Sequence, residues 1–239
     1  MLYLRGKQIA LTILIGIISL SCVTAQEGLG NQNYFGFKAK RFYFGLTLAY
    51  QNTTYRLQHS DQFIKNDSIA IAEALSGNGF AVSAIINMKI GEYFDFRVLP
   101  GASFSSRKFE FTKTTDEVQV DQLESVFVTV PLTVRYKSRA YKDTKAFVVG
   151  GVKYSYDLQS NARLRRDKFN DIMRISPHDF TLEFGFGMQF FFPYFIFSPE
   201  IKYSHGLDNI LIYDDNIIRN RVIDKVYSRT FTLSLHFEG

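Results

Sequence analysis

Nine charged residues of the sequence could interact with one another, because they recur at alternate positions within segments of alternating polarity. A β-strand places successive side chains on opposite faces, so residues of one parity share a face. Both signs are present, and we predict that the side chains pair inside a closed β-sheet and fill it. A polar conduit for ions or a small solute is the alternative. The nine residues are Asp95, Arg97, Arg107, Arg135, Lys153, Asp157, Glu183, Glu200 and Lys202.

The four histidines give little support for catalysis or metal binding. None is spaced from an acid or another histidine as in known metal sites, so no metal or other cofactor is predicted. His205 with Asp208 is the best candidate for a rim enzyme acting on lipid or peptide. No nucleophile or third orienting group can be named beside this pair, so a histidine bonded to a loop is the preferred interpretation. We predict that the protein is not an enzyme.

A basic cluster lies in a predicted long loop and comprises Arg163, Arg165, Arg166 and Lys168. It could bind lipopolysaccharide phosphates or an acidic partner surface, or it could simply be solvated. The net charge of the whole chain is +5, of which two charges belong to Arg5 and Lys7. The remaining +3 is no basis for nucleic-acid binding.

Eight segments must position these side chains, and each has one apolar face without charge. In the last segment, Phe231 and Leu233 alternate with Thr232 and Ser234. Each segment is near or above the roughly 9 to 11 residues that cross a bilayer at a tilt, and lipid is the simplest partner for every apolar face. We predict an all-β fold, an eight-stranded antiparallel transmembrane β-barrel. Its strands lie near residues 42 to 55, 78 to 90, 92 to 109, 123 to 138, 144 to 158, 178 to 192, 194 to 205 and 228 to 237.

The predicted connections alternate in length, as expected for short periplasmic turns and long extracellular loops. Short links follow strands two, four and six, and long ones occupy roughly 56 to 77, 110 to 122, 159 to 177 and 206 to 227. Within the first long loop, residues 69 to 75 could form one or two helical turns. Pro131 lacks a ladder donor, so we expect it at a bulge or beside an unpaired rim position.

The N-terminus is typical of a secretory signal peptide. Arg5 and Lys7 precede an apolar run over 9 to 20, and small residues stand at the cleavage positions before the predicted cut after Ala25. The run is shorter than the roughly 20 residues of a spanning helix, and Cys22 as an acylated first residue is the weaker alternative. We predict a signal peptide over 1 to 25, a periplasmic lead-in over 26 to 41 and the outer-membrane barrel over 42 to 239. An aromatic content of 16% fits lipid-contacting strands.

Several stretches together resemble the PorT-like outer-membrane barrel family of Bacteroidota, and they cover nearly all of the predicted mature chain. The resemblance implies a component of the type IX secretion system, with other secretion subunits as partners and a role in gliding motility where it exists. It also implies a proline in the fourth strand and brings no catalytic residues. A stand-alone small barrel with an adhesive or envelope-stabilising role is the alternative. The stretches are Phe35-Gly-Phe, Phe44-Gly-Leu, Val130-Pro131-Leu132, Arg135-Tyr136-Lys137, Gly150-Gly151-Val-Lys-Tyr-Ser-Tyr156, Asp179-Phe180, Phe184-Gly-Phe-Gly187 and Glu200-Ile-Lys-Tyr-Ser-His-Gly206-Leu207-Asp208-Asn209.

Overall fold

A computed structural model describes residues 32–59, 69–113, 118–159, 176–212 and 223–239. These residues form one short helix and ten strand segments, and every strand pairing is antiparallel. Within the described ranges, no helix is both long and apolar enough to cross a membrane. The elements are α1 (Gln32–Lys38), β1 (Phe42–His59), β2 (Ile69–Leu75), β3 (Gly77–Ile90), β4 (Phe94–Val98), β5 (Gly101–Lys113), β6 (Val118–Lys137), β7 (Thr144–Asp157), β8 (His178–Phe191), β9 (Ile196–Gly206) and β10 (Ile223–Glu238).

The ten segments make eight barrel strands, because β2 leads into β3 and β4 leads into β5. Each of these pairs is interrupted only briefly, at Ser76 and at Leu99–Pro100. β1 pairs with β3 on one side and with β10 on the other, so the sheet closes into a ring. The predicted all-β fold of eight antiparallel barrel strands is confirmed.

The alternation of side chains divides the wall into an outer apolar face and an inner polar face. In β10, the exposed fractions of Phe231 and Leu233 are 48% and 43%, whereas those of Thr232 and Ser234 are 4% and 2%. An exposed apolar face on every barrel strand is what contact with lipid requires. Buried residues of the opposite parity fill the lumen.

Strands extend further than the sequence analysis predicted at the end of the barrel that carries the long connections, here called the loop end. Residues 69 to 75 form the strand β2, so the prediction of helical turns is wrong. This segment is rich in alanine and isoleucine, and its pairing with β5 supplies ladder hydrogen bonds that outweigh a local helical preference. The described parts of the segments 56 to 77 and 110 to 122 are therefore mostly strand.

The predicted third strand is broken at Leu99–Pro100, and Pro131 of β6 lies opposite this break. The Leu99 amide donates a hydrogen bond to the Pro131 carbonyl oxygen over 3.1 Å. Because neither Pro100 nor Pro131 has an amide hydrogen, the ladder is weakened at one place where both donors are missing. The β6–β7 register passes Pro131 without a shift, so the prediction of a bulge is wrong. Pro131 does lie beside a gap in the ladder, between the pairs Val98–Leu132 and Gly101–Thr129, but this gap is in the wall and not at the rim.

The lead-in to the barrel contains α1, which closes the opposite end, where turns of 91–93, 138–143 and 192–195 connect the strands. We call this the short-turn end. Phe37 of α1 is buried with Tyr43, Phe191 and Ile196, and Tyr34 packs against this cluster. A helix of 7 residues gains its stability from such packing and not from its own hydrogen bonds. The predicted signal peptide, 1 to 25, lies outside the described residues.

Candidate functional site

Arg135 of β6 lies at the centre of an ion-pair network in the lumen. Its Nη2 is 2.5 Å from Glu200 Oε2, and its Nη1 is 3.3 Å from Glu238 Oε1. Arg97 of β4 approaches the same Glu238, with Nη2 at 2.8 Å from Oε2. All four side chains are buried. Because isolated buried charges are costly, each of these groups depends on its partners to remain ionised inside the barrel.

The network continues toward the loop end through Glu183 of β8. Lys202 Nζ lies 3.5 Å from Glu200 Oε1 and 3.2 Å from Glu183 Oε2, so it joins the two acids. Lys153 Nζ lies 3.4 Å from Glu183 Oε1, and the Ser204 hydroxyl donates to the same oxygen over 2.9 Å. A continuous chain of charged groups thus runs from Arg97 to Lys153.

A second group of polar contacts lies toward the short-turn end. Asp95 of β4 receives hydrogen bonds from Lys137 Nζ, at 2.6 Å, and from the Tyr43 hydroxyl, at 2.8 Å. His236 contacts Glu200 through Nε2, at 3.4 Å, and Thr47 through Nδ1, at 2.7 Å. Together these contacts tie the inner faces of at least five barrel strands to one another.

The network occupies the centre of the lumen, and its central side chains are inaccessible to solvent. Asp95, Arg97 and Arg135 have exposed fractions of 0%, 1% and 0%. The Arg135 guanidinium also lies 4.0 Å from the centroid of the Phe147 ring. An interior that is filled by side chains is what an eight-stranded barrel allows, and it argues against a conduit along the axis.

Seven of the nine predicted lumen residues take part in these ion pairs: Asp95, Arg97, Arg135, Lys153, Glu183, Glu200 and Lys202. Asp157 is also buried, but near the loop end, where Oδ1 accepts a hydrogen bond from the Gln159 amide over 2.9 Å. Arg107 belongs to β5, and its side chain lies outside the described residues. The same holds for the whole basic cluster of Arg163, Arg165, Arg166 and Lys168.

Sequence reasoning missed three ionisable members of the network, Lys137, Glu238 and His236. The parity rule was sufficient for two of them. Lys137 shares the face of Arg135, and His236 shares the face of Thr232, each within a predicted strand. Glu238 lies one residue beyond the predicted last strand, so only an accurate strand end would have included it.

The short-turn end contains a cavity of about 110 Å³ beneath α1. Lys145 Nζ donates a hydrogen bond to the Tyr34 hydroxyl over 2.9 Å, and Lys89 Nζ donates to the Phe37 carbonyl oxygen. At the exposed mouth, Lys38 Nζ lies 3.1 Å from Glu92 Oε1. The hydrogen bond and charge of Lys38 lower the pKa of the Glu92 carboxyl group.

A smaller pocket of about 40 Å³ lies in the lumen toward the loop end. Hydroxyl groups dominate its lining, including those of Ser103, Ser105 and Thr181. The Ser103 hydroxyl donates to Gln51 Oε1 over 2.5 Å. Lys153 at the border of this pocket is already paired with Glu183.

The rim candidate His205 has no catalytic surroundings in the part of the chain that the structure describes. Its ring stacks on Tyr227 with centroids 6.5 Å apart, and no hydrogen bond to Asp208 is present between these two described residues. Among the described residues, no group of three or more histidine, cysteine or acidic side chains could hold a metal ion.

Three solved outer-membrane proteins are similar to this chain at low identity. OprG from Pseudomonas aeruginosa is 10% identical, with 82% of this chain and 93% of OprG covered and a TM-score of 0.48. Neisserial surface protein A is 10% identical, with 81% and 95% covered and a TM-score of 0.45. Ail, the attachment invasion locus protein of Yersinia pestis, is 12% identical, with 84% and 100% covered and a TM-score of 0.37. No curated protein sequence matches the chain.

The sequence itself matches a known family over residues 24–211, which is more than half of the 239 residues. The matched region includes nine of the ten strand segments and most of the lumen network. The family's description is an outer membrane protein beta-barrel domain, and the closed sheet with an apolar outer face agrees with it. The chain therefore belongs to the outer membrane protein beta-barrel domain family and is an outer-membrane protein.

Proposed function

We propose that the protein is a non-enzymatic component of type IX secretion, with a structural or assembly role, and that it acts through contacts at its two ends. One observation carries the proposal. Arg97, Arg135, Glu200 and Glu238 fill the lumen with buried ion pairs, so secreted cargo has no passage through this barrel. Its activity then consists of binding other secretion subunits, as the PorT-like stretches of the sequence imply.

The loop end offers the larger surface for such contacts. The β1–β10 ladder extends to the pair His59 and Ile223, and the β5–β6 ladder extends to Thr112 and Val118. In outer-membrane barrels the long connections face the cell exterior and the short turns face the periplasm. Paired strands that continue outside the membrane form firm projections, which suit a docking role better than unpaired loops do.

The basic cluster is the proposed contact for acidic groups at this end. Arg163, Arg165, Arg166 and Lys168 follow β7, and guanidinium groups bind phosphates and carboxylates in bidentate geometry. Lipopolysaccharide phosphates and an acidic subunit surface are the two proposed partners.

Deletion of the gene tests the secretion role directly. The deletion strain should retain type IX cargo in the cell, and a plasmid copy of the gene should restore cargo in the medium. Replacement of Arg163, Arg165 and Arg166 by Gln should lower secretion if the cluster contacts a subunit. The matched control is Lys142→Gln, which removes positive charge from an exposed turn at the other end. Normal cargo release from the deletion strain would contradict the proposal.

An adhesive or envelope-stabilising role is the second candidate, since the same projecting ladders could hold a cell-surface ligand or neighbouring envelope components. A deletion strain with normal cargo release but impaired adhesion or increased detergent sensitivity would favour it. His205 is the candidate residue of the rim-enzyme hypothesis. Because we propose a non-enzymatic role, His205→Ala should leave every measured function unchanged. Sequencing the N-terminus of the purified protein tests the predicted cleavage after Ala25.

A further inference from the structure

The cavity at the short-turn end carries more basic than acidic side chains. Of its nine lining residues, four are lysines and one is an acid. In an outer-membrane barrel this end faces the periplasm. The lining residues are Tyr34, Lys38, Tyr43, Lys89, Gly91, Glu92, Lys137, Lys145 and Phe191.

Two of the four lysines already have acidic partners. Lys137 pairs with Asp95, and Lys38 pairs with Glu92 at the mouth of the cavity. Asp95 is further occupied by the Tyr43 hydroxyl. Asp95 and Glu92 are therefore engaged, and neither forms an ion pair with Lys89 or Lys145.

In the described part of the chain, the hydrogen-bond partners of Lys89 and Lys145 are uncharged. Lys145 donates to the Tyr34 hydroxyl and lies 4.2 Å from the centroid of that ring, and Lys89 donates to the Phe37 carbonyl oxygen. Among the residues that the structure describes, neither ammonium group forms an ion pair. Lys145 is 3% exposed, so solvent compensates little of its charge. Lys89 is half-buried, so the cost of a charge without a described counterion falls mainly on Lys145, and an anion bound in the cavity would lower that cost.

The size and walls of the cavity indicate which anion fits. A cavity of about 150 Å³ can hold benzene, with six carbon atoms, so about 110 Å³ holds a carboxylate with a short carbon stem. Tyr34, Tyr43 and Phe191 supply aromatic surface for that stem. A fully hydrated inorganic ion would leave this surface unused.

We propose that Lys89 and Lys145 bind the terminal carboxylate of a periplasmic peptide that ends in a small residue, with α1 covering the bound group. Such ends occur on the peptide stems of the cell wall, as D-alanine, and on protein chains, as L-residues. The site is independent of the secretion role, because it requires only the barrel and α1. A failed cargo assay would leave it intact, and its failure would leave the secretion proposal intact.

Calorimetric titration of the full-length protein, refolded in detergent micelles, tests the site. The probes are acetyl-D-alanyl-D-alanine, acetyl-L-alanyl-L-alanine, their C-terminal amides and inorganic phosphate. We expect at least one free acid to bind and its amide to bind at least about tenfold more weakly, because charge-assisted hydrogen bonds to the carboxylate are lost. Preference for the D-peptide identifies the cell wall as the source, and preference for the L-peptide identifies a protein chain end.

Variants locate the binding. Lys89→Met and Lys145→Met should each weaken binding of the free acid at least about tenfold. Lys145→Arg should retain it, and Lys142→Met, a charge loss at an exposed neighbouring turn, should leave it unchanged. The mobility of unboiled protein on a gel reports barrel closure, and if Lys145→Met does not close, Lys89→Met and Lys145→Arg remain decisive. Equal binding of acid and amide, binding of phosphate alone, no binding of either peptide, or an equal loss in Lys142→Met would overturn the proposal.

Discussion

At the short-turn end of the barrel, α1 covers a cavity bordered by lysines, whereas the pocket toward the loop end is bordered by hydroxyl groups. Buried apolar residues accompany both, with Phe37 at one end and Ile210 at the other. The polar linings differ because Glu183 pairs with Lys153 beside the hydroxyl-lined pocket, whereas no described acid pairs with Lys89 or Lys145 in the other cavity. The difference agrees with the proposed recognition of a carboxylate at the short-turn end, because ammonium groups without a described acidic partner line the cavity there and hydroxyl groups dominate the pocket toward the loop end.

The largest expected effect tests the ion-pair network that separates the two ends. Arg135→Met leaves Glu200 and Glu238 buried with fewer partners, and we expect a loss of roughly 3–5 kcal/mol in the free energy of unfolding. Urea titration of protein refolded in lipid vesicles, followed by gel mobility, measures it. Arg139→Met is the control, because Arg139 is exposed in the turn that follows β6. Equal stability of both variants would show that the network does not hold the lumen together.

The second effect distinguishes closure of the short-turn end by α1 from stability of the whole barrel. Phe37→Ala removes the buried anchor of α1, which should weaken its docking by roughly 3 kcal/mol. Lys145 should then react faster with an amine-acylating reagent, as followed by mass spectrometry. Lys153, in the outer pocket, provides the internal comparison and should keep its rate. Faster reaction of both lysines would mean that the two ends are not independent.

The third effect concerns the space for side chains in the barrel wall between the two ends. A Cβ atom at Gly151 would lie 2.1 Å from the Leu132 carbonyl oxygen, whereas one at Gly150 has no neighbour closer than 3.9 Å. Gly151→Ala should therefore cost about 1–3 kcal/mol in unfolding free energy. Gly150→Ala, on the outer face, should cost much less. The same urea titration compares them, and reversed costs would contradict the assigned inward and outward faces.

The smallest effect is expected at the exposed mouth of the periplasmic cavity. The Lys38 ammonium lowers the pKa of the Glu92 carboxyl group, so any stabilisation from this pair is present above the usual range for glutamate and lost as the pH falls through the lowered pKa. Solvent screens the pair, and Lys38→Met should leave stability at pH 7 unchanged. NMR titration of Glu92 should show its midpoint rise in that variant. An unchanged midpoint would exclude the contact.

The alternation of residues predicted much of this molecule because it has a direct physical cause. In β10 and in the other barrel strands, one face contacts lipid and the other face lines the filled lumen. Parity alone therefore separates Phe231 from Thr232. Parity does not reveal partners, however. That Glu238 serves both Arg97 and Arg135 follows from ring closure, which brings β10 beside β1 across the barrel from β4 and β6.

Short elements were beyond the reach of the pattern. The helix α1 has only 7 residues and includes Gly36, so no apolar period identifies it, and its packing against Phe191 comes from tertiary structure. Residues 69 to 75 have an equally short apolar pattern, which fits a helix or a strand. Only the pairing with β5 shows that the segment is a strand. The strand break at Pro100 also needs the position of Pro131 on the neighbouring strand.

The pairing of β1 with β10 has a consequence for the order of folding. Gly45 and Glu238 are partners although 193 positions separate them, since 238 − 45 = 193. Contacts so distant in sequence form late, because the entropy of closing the intervening chain opposes them. Until β10 docks, Arg97 lacks its only carboxylate partner among the described residues, and Arg135 lacks one of its two. Completion of the ion-pair network and closure of the seam are therefore one event, which makes assembly cooperative.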